Sequence, residues 1–337
     1  MNTYDKEYKA LTLRLGFALL LMFVLLQGLM TVLGFGQMLF APILSEKVGN
    51  LLYWGLYNVF YFASFMLPVP FFMLISRKQS TQKMALDVRF PRHFALMAIA
   101  AVGMIMAAAQ INSLLVSPFV GENASTQVLL DLISGDKGYM VVLVFVMLVI
   151  VPPFCEEFLF RGLVLGNLLP YGKGMAIVSS ALLFSLMHQS FSQFLYTAVA
   201  GVVLGLLYTE SGSIWPSTLV HMVNNLLSFG QMIIMARISD QMLANRIVIC
   251  MNLLVIFAGC ICMLILVLKA KKQPEQSEQP KPLGSMFGVT PDRASLAEPV
   301  VLSHGMSLRG LFTPSVAIFA ALSMVMAVLN LIVENIA

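Results

Sequence analysis

Met140 to Leu169 reads MVVLVFVMLVIVPPFCEEFLFRGLVLGNLL, and this stretch decides the fold. A helix needs about 20 apolar residues to cross the hydrocarbon layer of a bilayer, and this run is longer. Only Glu156, Glu157 and Arg161 interrupt it with charge. Lipid offers the backbone no hydrogen-bonding partners, so a segment of this composition is stable there only as a helix. An ionisable side chain inside such a helix costs several kcal/mol unless paired or hydrated, so it marks a candidate functional position.

The rest of the chain follows the same pattern. Of its 337 residues, 59% are hydrophobic and 11% charged, with a mean hydropathy of +0.88, which excludes an ordinary soluble domain. Nine apolar runs, at about 11–35, 51–76, 93–116, 138–168, 174–190, 193–209, 214–235, 247–269 and 311–334, predict an all-α polytopic bundle of about nine transmembrane helices. The first run is too long for a signal-peptide core and lacks a small-residue cleavage site, so it reads as a retained helix.

Basic residues gather on alternate connections. Lys6, Lys9 and Arg14 precede or open the first helix, and Arg77, Lys78, Lys83, Arg89 and Arg92 fill the second connection. Lys173 lies in the fourth, and Lys269, Lys271, Lys272, Lys281, Arg293 and Arg309 lie in or beside the eighth. The opposite side carries a nearly balanced set: Glu46, Lys47, Glu122, Asp131, Asp136, Lys137, Arg237, Asp240 and Arg246. Short cytoplasmic loops collect Lys and Arg, so the N-terminus is expected in the cytoplasm and the C-terminus outside.

Several features read as ordinary. Cys155, Cys250, Cys260 and Cys262 lie in or beside apolar runs with no CxxC pair, as packing residues do. The 24 Met and 24 Phe are lipid-facing or core side chains. His93 sits at a membrane boundary, His304 lies in a polar, proline-rich stretch, and Asn123 opens a glycosylation-type triplet with no context to support it. No nucleic-acid surface is implied.

Three polar clusters remain: Glu156-Glu157 with Arg161, Phe184 with His188, and His221 with Asn225. Residues four apart share a helix face, so Glu157 can pair with Arg161 and leave Glu156 to face another neighbour. The same pair can be a purely structural link between helices. Counted from the basic ends of their helices, Glu156 lies roughly 18 Å deep, His188 roughly 21 Å, His221 roughly 10 Å and Asn225 roughly 16 Å. Three runs thus bring polar groups to one layer, between the cytoplasmic surface and the midplane. Pro152-Pro153 removes two backbone donors just before the glutamates, which kinks or opens the helix and can admit water there.

A carboxylate, two imidazoles and an amide suffice to hydrolyse an amide bond with water as nucleophile. Glu156 can accept the proton from water, His188 can orient that water, and His221 and Asn225 can donate to the oxyanion. A zinc ion held by Glu156, His188 and His221 is an open alternative, although the chain has no HExxH.

The order EExxxR, FxxxH and HxxxN, here Glu156-Glu157 to Arg161, Phe184 to His188 and His221 to Asn225, resembles the CAAX-protease and bacteriocin-processing family (the CPBP or Abi family) of intramembrane proteases. That family includes the type II CAAX prenyl endopeptidases. SIWPSTLVHMVNN, at 213–225, also looks like the usual surroundings of the third motif. The resemblance implies a glutamate-dependent peptidase in which Glu156 and His188 activate water and His221 and Asn225 form the oxyanion site. It implies a membrane-associated protein or peptide substrate, lipidated as a CAAX tail is or bearing a leader, and it leaves zinc undecided.

The expected organisation is accessory spans over 1–120, a catalytic core over 138–235, a span over 247–269, a flexible cytoplasmic linker over 271–310 and a last span over 311–334. The expected setting is the plasma membrane of a bacterium, with the site opening toward the cytoplasm. A proton- or ion-coupled transporter would also bury such charges, and a catalytically silent scaffold could keep them, so both stand as alternatives.

Overall fold

The computed structural model describes residues 3–40, 42–76, 84–116, 119, 124–135, 138–271, 302 and 306–336. All regular elements among them are helices: α1 (Thr3–Phe40), α2 (Glu46–Met66), α3 (Pro68–Ile75), α4 (Phe94–Val116), α5 (Ala124–Ser134), α6 (Gly138–Tyr171), α7 (Lys173–Met187), α8 (Phe191–Ser211), α9 (Ile214–Arg237), α10 (Gln241–Lys271), α11 (Met306–Leu311) and α12 (Pro314–Ile336). Eight candidate spans among the described residues are long and apolar enough to cross a membrane, with α2 and α3 counted as one. Their outward side chains, such as Leu253, Phe257 and Val325, are exposed and apolar, which suits a lipid surface.

The count differs from nine at α7. This helix has 15 residues, about 22 Å at 1.5 Å per residue, against a hydrocarbon layer of about 30 Å. It ends where Gln189 adopts φ +52°, a left-handed turn uncommon outside glycine. The apolar run at 174–190 conceals this turn, because hydropathy does not register a backbone reversal. α7 still rises from the basic side, so the alternation of the connections is preserved.

Those connections meet on one face. Tyr8 packs against Tyr171 with ring centroids 4.9 Å apart, and Thr12 donates to the Gly310 carbonyl at 2.6 Å. Lys173 pairs with Glu210 at 2.8 Å, tying the start of α7 to the end of α8. Ile214 N donates to Ala85 O at 3.0 Å, Ser213 Oγ to Asp87 O at 2.6 Å and Trp215 Nε1 to Leu86 O at 2.8 Å. On the opposite face Arg237 donates to Gly135 O at 3.1 Å, and Lys47 sits over the Tyr139 ring. The two charge classes read from the sequence therefore occupy two faces of the bundle. Arg77, Lys78, Lys83, Glu122, Asn123, Asp136, Lys137, Lys272, Lys281, Arg293 and His304 lie outside the described residues.

Two departures concern segments expected to be connections. The connection after α4 contains α5, whose Val128 and Leu129 help wall the central cavity. The end of the expected 271–310 linker forms α11, which packs on α1; residues 272–301 and 303–305 of that segment lie outside the described residues.

Small residues set the close approaches that fix the core. A Cβ on Gly103 of α4 would lie 2.6 Å from Gly259 Cα of α10, and one on Gly201 of α8 would lie 2.7 Å from Ala181 Cα of α7. Helices in lipid associate through such contacts, since no hydrophobic drive separates their surfaces from acyl chains. α1 and α12 run alongside each other, held by Ser315 Oγ donating to Leu13 O at 2.6 Å, and flank α7.

Candidate active site

α6 is not a uniform helix. A single α-helical segment, Val151–Glu157, lies between two π-helical segments, Val146–Ile150 and Phe158–Leu165. Pro152 and Pro153 explain the first irregularity. The carbonyl of Leu148 would accept from residue 152 in an α-helix or from residue 153 in a π-helix, and neither proline has an N–H. Asn225 of α9 fills the gap, donating from Nδ2 to Leu148 O at 2.9 Å. The prolines thus open α6 as the sequence predicts, and the freed carbonyl fixes a motif residue on another helix.

Glu157 and Arg161 form an ion pair at 3.0 Å, and both are fully buried. Arg161 also donates to Gly201 O of α8 at 3.3 Å, and its guanidinium lies 4.5 Å from the centre of the Phe184 ring of α7. Glu157 Oε1 also lies 3.1 Å from His221 Nδ1 of α9. One ion pair consequently reaches three further helices, so the structural reading of Glu157 and Arg161 fits the geometry.

Glu156 points elsewhere, as its rotation around the helix requires. Its Oε1 accepts a 2.6 Å hydrogen bond from the Tyr61 hydroxyl of α2. Its Oε2 lies 3.8 Å from His221 Nε2 and is buried without a hydrogen-bond partner among the described residues. His221 therefore stands between the two glutamates, with one nitrogen toward each.

His188 follows the last residue of α7. Its Nδ1 lies 2.9 Å from Phe184 O, and the two rings meet at 76° with their centroids 4.8 Å apart. The next residue, Gln189, is held from two sides: Gln27 of α1 donates to its side-chain oxygen at 2.6 Å, and Asn330 of α12 donates to its carbonyl at 2.9 Å.

Glu156, His188, His221 and Asn225, drawn from α6, α7 and α9, line one cavity of about 610 Å³. Glu157 and Arg161 lie behind it. The lining continues through Tyr57 to Tyr53 and Trp54, and through Phe229 to Met232. These are the parts of α2 and α9 nearest the face opposite the basic connections, so the cavity extends away from the basic face. The sequence predicts an opening toward the cytoplasm, which is the basic face if the orientation rule holds. Depth along a helix locates side chains but does not say which way the space between helices widens. Toward the basic face, the Lys173–Glu210 pair and residues 85–87 tie the helices together. His93 is not part of the cavity.

The partners fix what each ring can do. A carbonyl or a carboxylate can only accept, so His188 Nδ1 and His221 Nδ1 carry protons, and a ring protonated at Nδ1 alone presents a lone pair at Nε2. His221 can donate at Nε2, in the oxyanion role that the sequence assigns it, only when both of its ring nitrogens carry protons. Asn225 retains one N–H beyond the bond to Leu148, and its Oδ1 accepts from Asn224 Nδ2 at 3.4 Å. Lone pairs on two imidazoles beside a carboxylate have the chemistry of a zinc site. Among the described residues, however, no three His, Cys, Asp or Glu side chains converge as metal ligands, so Glu156, His188 and His221 do not fit zinc in this arrangement.

Four participants carry no motif. Tyr61 belongs to an aromatic run on α2 that reads as membrane packing. Leu148 takes part only through its carbonyl, and Gln27 and Asn330 are single amides on distant helices. The proline pair was the one available signal, pointing to a freed carbonyl without naming its partner.

Residues 138–227 match the family described as Rce1-like, type II CAAX prenyl endopeptidase. The match spans α6 to α8 and the first part of α9, with all three motifs inside it. α1 to α5 and α10 to α12 lie outside the matched residues. No curated protein and no solved structure matches the chain.

Proposed function

We propose that this integral membrane protein is a glutamate-dependent endopeptidase that hydrolyses peptide bonds of a membrane-associated substrate. The observation that carries the reading is the position of Glu156 Oε2: buried in a cavity shared with His188 and Asn225, 3.8 Å from His221 Nε2, and without a hydrogen-bond partner among the described residues.

The chemistry follows from the available atoms. A water molecule gives a proton to Glu156 Oε2 while its oxygen bonds to the scissile carbonyl carbon, and His188 Nε2 accepts from its second O–H. The carbonyl π electrons move to oxygen, and the remaining N–H of Asn225 donates to that oxyanion. Glu156 then passes its proton to the peptide nitrogen, the C–N bond breaks, and a carboxylic acid and an amine leave. His221, anchored by Glu157, stands with Nε2 opposite Oε2, where it can accept from Glu156 only once that carboxyl has taken the proton. The Glu157–Arg161 pair fixes that anchor and takes no proton. No step runs through a metal.

A lipidated tail or a leader-bearing peptide suits an apolar cavity within a bundle. The test is a peptide library incubated with purified protein in proteoliposomes and read by mass spectrometry. Cleavage by the wild type and none by Glu156→Gln is the expected result. Cleavage that survives Glu156→Gln would overturn the reading, and Glu156-dependent uptake without product would establish a transporter instead. Binding with neither cleavage nor uptake would establish a scaffold.

A further inference from the structure

We propose that Tyr61, on a helix outside the family-matched residues, is a positioning residue that selects which oxygen of Glu156 takes the proton. The inference rests on the hydrolytic reading above.

The two oxygens of an isolated carboxylate are equivalent, and each can act as base. At Glu156 they differ. Oε1 accepts from the Tyr61 hydroxyl at 2.6 Å, a short bond of the kind made to a charged acceptor. Oε2 is left to the cavity, opposite His221 Nε2. With Oε1 engaged, the carboxyl group cannot rotate without breaking that bond, so Oε2 stays aimed where water must lie.

Tyr61 is itself held. Its ring stacks on Phe65 at 4.7 Å and 23°, and on Tyr57 at 6.3 Å and 18°. This column runs along α2, so the hydroxyl is set by a rigid element and not by a mobile loop. A buried tyrosine hydroxyl takes a partner in any core, and here that partner is the carboxylate that borders the cavity.

The test compares wild type, Tyr61→Phe and Glu156→Gln in proteoliposomes on the library peptide that the wild type cleaves. Tyr61→Phe is expected to lower kcat about 10- to 100-fold, the size of one hydrogen bond to a charged group, with KM unchanged. In parallel, the infrared carboxylate band lost in Glu156→Gln is expected to shift in Tyr61→Phe. That measurement needs no turnover and detects the contact even in an inactive variant. An unshifted band, or full kcat in Tyr61→Phe while Glu156→Gln is dead, overturns the role of Tyr61 and leaves the hydrolytic reading intact. Full activity in Glu156→Gln overturns both.

Discussion

The side-chain amide of Asn225 donates to the carbonyl of Leu148, 2.9 Å away on another helix, and that carbonyl is free because Pro152 and Pro153 follow it. The bond links a helix irregularity to the alignment of a motif residue. It also gives Asn225 two tasks, since one N–H is used by the backbone and the other faces the cavity.

Asn225→Ala removes both donors. We expect kcat to fall about 10²- to 10³-fold, as for loss of an oxyanion donor. The unpartnered Leu148 carbonyl should cost a further 1–3 kcal/mol or so of stability, read as a lower Tm in detergent. Pro152→Ala supplies Leu148 with a backbone partner, so it should lower kcat while leaving Tm unchanged or higher.

Arg161→Met leaves Glu157 buried without its countercharge. Breaking a buried pair in this way costs about 3–5 kcal/mol, so a large drop in Tm is expected. The double variant Glu157→Gln/Arg161→Met should recover much of that stability, because no isolated charge remains. Recovery of Tm without recovery of cleavage would separate the pair's structural task from its anchoring of His221.

Chelation should leave cleavage unchanged. Glu156, His188 and His221 do not converge as a three-ligand set in this arrangement. Loss of activity with a chelator, restored by zinc alone, would show that the three close around a metal during turnover.

The direction of the cavity can be read chemically. In a background lacking Cys155, Cys250, Cys260 and Cys262, single cysteines at Ser228 and Lys47 should react with an impermeant maleimide from the same side. A cysteine at Arg92 should react from the other. By the positive-inside rule the first side is extracytoplasmic. Labelling of Ser228→Cys together with Arg92→Cys would place the entrance at the basic face.

Much of this arrangement was legible in the sequence because lipid makes the rules severe. Charges inside apolar runs stand out, and spacing of four residues foretold the Glu157–Arg161 pair. Alternation of Lys and Arg foretold which connections meet. The turn at Gln189 was hidden, since an amide in an apolar run carries no sign of φ. Tyr61 was hidden for the opposite reason: among so many aromatic residues on α2, nothing marks the one whose hydroxyl finds a partner. The opening of the cavity depends on how helices splay, which no single run encodes.

The hold on Gln189 has a consequence for biogenesis. Gln27 and Asn330 lie more than 300 residues apart in the chain, on its first and last described helices, and both grip the residue beside His188. A nascent polypeptide that has inserted its motif helices but not yet α12 has only half of that grip. The turn that carries His188 therefore gains its full hold only when the last helix has been made and has joined the bundle.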